Sequence, residues 1–328
     1  MVKDLLSVLL ICHKRPHLLL SQLKIIDNLE EKVDVYIHLD NPNDKKILEE
    51  FNQIFKDNDL IEKYVITSRN QSLNFAVPNA ITWFFDFVDE GIILEDDVIP
   101  THFFFQYCHH FLQEYRDEKN IVSINSYPQK RSLGKFGEAY LSKYFAVWGW
   151  ATWKDRWYEF IDESLEKKWK KNQKEVLNDL YGRYAFIKKS YWRYLINKTF
   201  ANTLSGWCYK FFAFMWLNNY LTINSEIPLI RNLGTKDLST NTSRVSDAVM
   251  KRNEEVSNYD LDNKSSYQEA LENYHVSQYE HSTHVEESQY FEINLIGMVK
   301  RIMFRIKNPS LMFNKSNPRP NQERVHEL

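Results

Sequence analysis

Glycine is scarce in this chain, eight residues in 328, and no Gly-rich phosphate loop of the dinucleotide or Walker type occurs. Cysteine is nearly absent. Cys12, Cys108 and Cys208 lie far apart, without metal-ligand spacing, so a reducing compartment is expected. Neither charge sign is in excess: 42 basic and 44 acidic residues leave a formal charge of −2, which argues against a global attraction to nucleic acid. Long apolar runs are also missing. Residues 1–4 lack a basic n-region, and the run 5–12 is too short for a signal peptide or a membrane span. A chain that stays on the cytoplasmic side of any membrane is the expectation. No internal repeat is apparent.

What is plentiful is aromatic. Rings make up 15% of the residues, with 9 Trp and 19 Tyr, in a chain 43% hydrophobic and 26% charged, the composition of a folded soluble protein. The length allows one large core or two modest ones, enough for an enzyme. A cleft for sugars or bases would use such rings, and so would ordinary core packing, which accounts for most aromatics in any protein.

The chain is organised around Gly91-Ile92-Ile93-Leu94-Glu95-Asp96-Asp97-Val98-Ile99-Pro100, an apolar run stopped by three consecutive carboxylates. Such a run predicts a buried strand whose carboxyl end reaches a surface, and ligands of open α/β sheets gather at that end. Three adjacent acids repel one another unless a cation or an exposed loop accommodates them, and their oxygens suit Mg²⁺ or Mn²⁺. The competing reading is an acidic loop or an acidic helix start ahead of residues 101–115.

Earlier in the chain, 5–12 is a continuous apolar run, as in a central parallel strand, ending in His13-Lys14-Arg15-Pro16. A helix over 18–29 and a strand over 33–40 follow, the strand closing on Asp40; then come a helix over 44–55 and a strand over 63–67. A polar connection, 68–79, leads to an aromatic helix over 80–88 and the strand 91–94. This alternation implies βαβ crossovers and a mostly parallel sheet. Beyond it, 101–115 reads as a helix, 121–124 as a strand, 162–180 as a charged solvated helix, 207–219 as an apolar helix, and 221–223 and 227–230 as short extended pieces. In the segment 144–153 the rings either wall a sugar site or pack a core; for Trp148 and Trp153 taken singly, core packing is the stronger reading. Residues 244–285 are polar and irregular. Finally, 290–306 has the pattern of a basic amphipathic helix, suited either to an anionic bilayer surface or to docking on the folded body.

Taken in order, Leu10-Ile11-Cys12-His13-Lys14-Arg15-Pro16, His38-Leu39-Asp40, Ile92-Ile93-Leu94-Glu95-Asp96-Asp97 and Trp148-Gly149-Trp150-Ala151-Thr152-Trp153 resemble bacterial GT-A nucleotide-diphospho-sugar transferases related to N-acetylglucosaminyltransferase I. Trp216-Leu217-Asn218-Asn219 and Pro228-Leu229-Ile230-Arg231-Asn232-Leu233-Gly234 add to the likeness, which stops at about residue 245. It implies an α/β, GT-A (Rossmann-like) fold: a mixed, mostly parallel sheet flanked by helices, with a C-terminal helical tail. Residues 1–125 would be the nucleotide-sugar-binding half, 126–245 the acceptor-side half, and 246–328 a polar linker and basic amphipathic tail.

The resemblance also assigns roles. Asp97 would ligate Mn²⁺ (or Mg²⁺), with Glu95 and Asp96 holding ribose or the metal's waters. Asp40 would read the uracil of a UDP-sugar, and Arg15 would face base or phosphate. The loop 231–242, with Asn232 and Gly234, would close over the donor, and Trp148, Trp150 and Trp207 would lie on the acceptor side. Relatives place an Asp base directly after the Trp that opens the late apolar helix, where this chain has Trp207-Cys208-Tyr209. Three readings stay open: Asp237 or Glu226 is the base, Cys208 substitutes, or the chain binds donor with weak catalysis as part of an assembly. The expected activity is inverting transfer to a glycan or lipid-linked acceptor in cell-surface polysaccharide synthesis. Contact with the inner membrane face would be peripheral.

Overall fold

Strand β1 (Leu6–Cys12) pairs in parallel with β2 (Val33–Leu39) on one side and β4 (Glu90–Glu95) on the other, and β2 pairs in parallel with β3 (Ile61–Ile66). Alternate side chains of a strand point to opposite faces, so a strand buried on both sides must be apolar throughout. Val8, Leu10 and Cys12 enter the layer formed with α1 (Pro16–Asp27), α2 (Lys45–Lys56) and α4 (His102–Glu114). Leu9 and Ile11 enter the opposite layer with α3 (Leu73–Phe84). Side-chain caps begin two of these helices where the sequence places them: Asp44 accepts from the Lys46 and Ile47 N–H groups, and Thr101 from that of Phe104.

The structure, a computed structural model, describes residues 5–128, 138–183, 185–234, 256 and 275–277. Contacts divide the chain into Met1–Ser282 and Thr283–Leu328; the latter unit, with the expected amphipathic tail, lies outside the described residues. The sheet continues through β6 (Ile121–Asn125), β7 (Glu138–Ser142), β8 (Trp150–Trp153), β9 (Leu221–Ser225) and β11 (His275–Ser277), in the order β11-β7-β9-β6-β8-β4-β1-β2-β3. Among the described residues, five of the eight pairings in this sheet are parallel; β8 enters antiparallel to both β4 and β6. The architecture is the mixed, mostly parallel α/β sheet flanked by helices that the sequence implies. Helices α5 (Lys154–Phe160), α6 (Leu165–Tyr181), α7 (Phe186–Phe200) and α8 (Cys208–Asn218) thicken the layer that holds α3. No described helix is long and apolar enough to cross a membrane.

Three expectations need correction. Helix α3 starts at Leu73, inside the expected polar connection, and carries Pro78 in its interior. Proline removes one helical hydrogen bond, but burial of Ala76, Val77, Ala80, Ile81 and Phe84 holds the segment helical. The acids do not begin a helix: they turn from β4 into β5 (Val98–Pro100), which pairs antiparallel with β10 (Ile230–Asn232) as a separate two-stranded sheet. Helices α5 and α7 and strands β5, β7, β8 and β11 were not expected, β11 falling in a stretch read as irregular or weakly helical.

His38 lies on the β2 face that meets α3, 4% exposed, its ring edge-on to Trp83 with centroids 6.0 Å apart. Burial lowers its pKa from 6.5 to about 4. Below pH 6.5 the unfolded chain takes up a proton that the folded chain refuses until about pH 4, so stability falls as pH drops through that window. The full loss is about 3 kcal/mol. Urea unfolding at pH 7 and pH 4.5 should show His38→Phe with a smaller loss than wild type. An equal loss in both would assign the acid sensitivity to other groups.

Candidate active site

Because β1 to β4 are parallel, the residues after them share one sheet edge, where open α/β sheets bind ligands. His13 and Arg15 follow β1, Asp40 follows β2, Thr67 follows β3, and Glu95, Asp96 and Asp97 end or follow β4. Arg15 caps the start of α1, with Pro16 at its first position. From there its Nη1 donates to Asp96 Oδ1 at 2.5 Å and Asp97 Oδ2 at 3.1 Å. The His13 backbone N–H donates to Asp96 Oδ2 at 3.2 Å.

The turn that carries the acids has supports that do not involve carboxylates. Gln22 of α1, fully buried, donates through Nε2 to Glu95 O at 2.8 Å and to Val98 O at 2.7 Å. Leu233 N–H donates to Asp97 O at 2.8 Å, and Gly234 N–H to Asn232 Oδ1 at 2.9 Å. The β10 segment is thereby fastened over the acids, with Gly234 against the Asp97 carboxylate. Asp237 and the rest of the expected closing loop lie outside the described residues.

Three carboxylates face one guanidinium. Burial, reinforced by the charges of Asp97 and Asp96 and only partly opposed by Arg15, pushes Glu95 up to about 8. Burial and the neighbouring Asp96 likewise raise Asp97, against the pull of Arg15. The site gathers more hard carboxyl oxygen than one guanidinium can neutralise, and that shortage of positive charge contributes to the upward shifts. Among the described residues no group of three His, Cys, Asp or Glu side chains is arranged to hold an ion unaided. The carboxylates present could hold a hard cation such as Mg²⁺, with Asp97 giving one oxygen ligand and the remaining ligands coming from elsewhere.

Asp40 is 6% exposed, and its carboxylate accepts from Thr67 Oγ1 at 3.2 Å and from the Gln71 N–H at 3.0 Å. It shapes the connection 67–71 at the cleft edge. Its backbone carbonyl lies 3.0 Å from His13 Nδ1, and Asn70 Nδ2 stands 3.3 Å from His13 Nε2. Across the cleft, Asn74 of α3 donates to Leu204 O and accepts from Gly206 N–H, both at 2.7 Å, tying the loop ahead of α8 to the start of α3.

Cys208 is the first residue of α8, half-buried, and burial followed by the charge of Glu95 pushes its thiol up to about 12. A thiol and not a thiolate stands in the slot where relatives are expected to carry Asp. A neutral thiol is a poor proton acceptor, which weighs against Cys208 as the base. Glu226, the other base candidate described, is buried just after β9, where its N–H donates to Glu138 O at 3.0 Å.

The expected ring wall is also corrected. Trp150 and Trp207 are 1% and 2% exposed, near-parallel with centroids 6.0 Å apart, inside a core that includes Phe145, Trp157 and Phe211. Neither offers a face to a ligand, because the β8 and α8 segments that carry them pack inward. Trp148 is half-buried against Tyr127, centroids 5.1 Å apart. It sits on the strand of chain that Gly149, at φ +65, turns past Val98 and Ile230.

Gln22, Asn74 and the His13–Asn70 contact were not singled out from the sequence. Gln22 left a signal, since it interrupts the apolar stripe Leu18, Leu19, Leu23, Ile26 of α1.

No known family profile matches the chain, and no curated protein matches it. Among solved structures, the mannosyltransferase PcManGT from Pyrobaculum calidifontis, in complex with GDP-Man and Mn²⁺, is similar over 46% of this chain and 44% of its own, with 10% identity and a TM-score of 0.33. TarS 1–349 of S. aureus is similar over 70% of this chain and 61% of its own, with 9% identity and a TM-score of 0.39. This chain thus spans less than two thirds of either structure. Both scores are too low to carry any inference about chemistry.

Proposed function

We propose that the chain is a metal-dependent, inverting glycosyltransferase that uses a UDP-sugar and acts on a glycan or lipid-linked acceptor in cell-surface polysaccharide synthesis. The observation that carries the reading is the convergence of Arg15, Asp40 and the Glu95–Asp97 turn at one sheet edge, with Asn232 and Gly234 fastened over that turn. The narrower kinship with N-acetylglucosaminyltransferase I rests on the order of the sequence motifs.

In this reading Asp97 holds Mn²⁺ or Mg²⁺, and the bound cation supplies Lewis-acid stabilisation of the departing diphosphate. Arg15, already at the acids, donates to phosphate oxygens; its planar fork suits them. Asp40 and the 67–71 connection bound the base pocket, and Glu95 and Asp96 hold the ribose side. The β10 segment and the loop after it exclude water from the donor, which favours transfer over hydrolysis. Trp148 and the α8 start line the acceptor side, and deprotonation of the acceptor falls to Glu226 or Asp237.

A second reading is favoured by the neutral thiol at Cys208: a donor-binding subunit with little turnover of its own. Calorimetric titration of UDP with and without Mn²⁺ tests the common core of both. Wild type should bind in a Mn²⁺-dependent way, and Asp97→Ala should weaken that binding roughly a hundredfold. Metal-independent binding, or none by the folded protein, would sink the donor-site assignment. Release of UDP from a UDP-sugar then separates transferase from silent subunit, whereas UMP or phosphate would mark a hydrolase.

A further inference from the structure

Helix α7 turns an unusual face outward. Phe186, Ile187 and Tyr194 are 72%, 55% and 56% exposed, three large apolar side chains on one surface of a 15-residue helix. At 100° per residue these three fall on the same side as Arg193 and Lys198, opposite the buried Trp192, Leu195, Ile196 and Thr199. Lys198 Nζ lies 5.8 Å from the Tyr194 ring centre. A groove along this face is lined by Arg193, Tyr194, Asn197 and Lys198. Lys189 is not part of it; it turns inward to Asn178 Oδ1 and the carbonyls of Gly182 and Arg183, closing the end of α6.

Helix α7 itself carries charge of one sign only. Between Asp179 and Glu226 the sequence holds no acidic residue and six basic ones, Arg183, Lys188, Lys189, Arg193, Lys198 and Lys210, in a chain whose net charge is −2. Apolar side chains beside cations, with no acid on the same helix, are what an anionic bilayer surface selects: rings and aliphatic groups enter the headgroup region while cations meet lipid phosphates. A polyanion alone would use the cations and leave Ile187 in water. We propose that the outward face of α7 rests on an anionic bilayer, with Phe186 and Ile187 entering the interface and Arg193 and Lys198 on the phosphates. The helix runs into the loop that Asn74 binds to the rim of the candidate cleft, so this contact would hold the cleft close to acceptors carried by lipid.

The test is co-sedimentation of the full chain with vesicles of phosphatidylcholine alone and of equal parts phosphatidylcholine and phosphatidylglycerol. Wild type should bind the mixed vesicles and not the neutral ones, less so at high salt. Phe186→Ser with Ile187→Ser should lower binding on the order of tenfold or more. Arg193→Gln with Lys198→Gln should cost roughly fivefold per charge. Both variants should keep the wild-type melting midpoint and Mn²⁺-dependent UDP binding, so failure of the donor reading and failure of this one are separable. Wild-type binding by both folded variants would overturn the proposal, as would absence of binding by wild type. Vesicle-independent self-association lost in Phe186→Ser with Ile187→Ser, without lipid binding, would also overturn it by giving the face to a second copy.

Discussion

Gly234→Ala should sharply weaken Mn²⁺-dependent UDP binding in a protein that still folds. A Cβ built at residue 234 overlaps Asp97 Oδ2 and lies 3.2 Å from Asn232 Oδ1. The demand is for space and not for a special backbone angle, since Gly234 has no left-handed φ. The neighbour that must yield is a charged carboxylate whose Oδ2 also accepts from Arg15 at 3.1 Å, so the displacement passes to the guanidinium as well. Because Gly234 ends a fastened segment, with Leu233 bonded to Asp97 O, the backbone has little freedom to move aside. A loss of affinity on the order of a hundredfold is expected, comparable with losing a group that orients a metal ligand. Calorimetry with and without Mn²⁺ reads it, and circular dichroism confirms the fold. Undiminished metal-dependent binding would show that Asp97 lies outside the donor site.

Trp207→Ala should cost about 3–5 kcal/mol of stability, the range for removing a large buried ring. Trp207 packs with the rings of Trp150, Trp157, Phe145, Phe160 and Phe211, centroids 6.0 to 6.4 Å apart. The cavity left would be walled by rings from β8, α5 and α8 that cannot all close in. Chemical denaturation gives the magnitude, and Trp207→Phe should recover part of it. If Trp207→Ala instead unfolds like wild type but loses acceptor affinity, the ring belongs to the site and the core assignment is wrong.

The strands of the first half were legible because full burial demands unbroken apolar runs: 5–12 and 91–94 match β1 and β4 to within a residue or two. The order of Arg15, Asp40 and Asp97 was legible for a related reason, since each follows such a run and parallel strands bring their ends together. That Arg15 reaches acids 81 and 82 positions away was not, because periodicity says nothing of which side chains meet. Trp150 and Trp207 misled because a ring that packs a core and a ring that holds a sugar are spelled alike. Pro78 hid the first turns of α3, a single lost hydrogen bond outweighed by apolar burial. Helix α7 escaped because its outward face carries Phe186, Ile187 and Tyr194 while Lys189 is buried, which blurs the amphipathic stripe.

Gln22 sets a different kind of boundary. It grips the carbonyls on both sides of the acidic turn from beneath, and Leu233 grips a third from above. The backbone path through residues 95–98 therefore has supports that do not depend on the carboxylates that project from it. Scaffold and chemistry are written in separate residues. Descendants of such a chain can exchange the acids, and gain or lose dependence on a cation, without having to reinvent the bend that presents them.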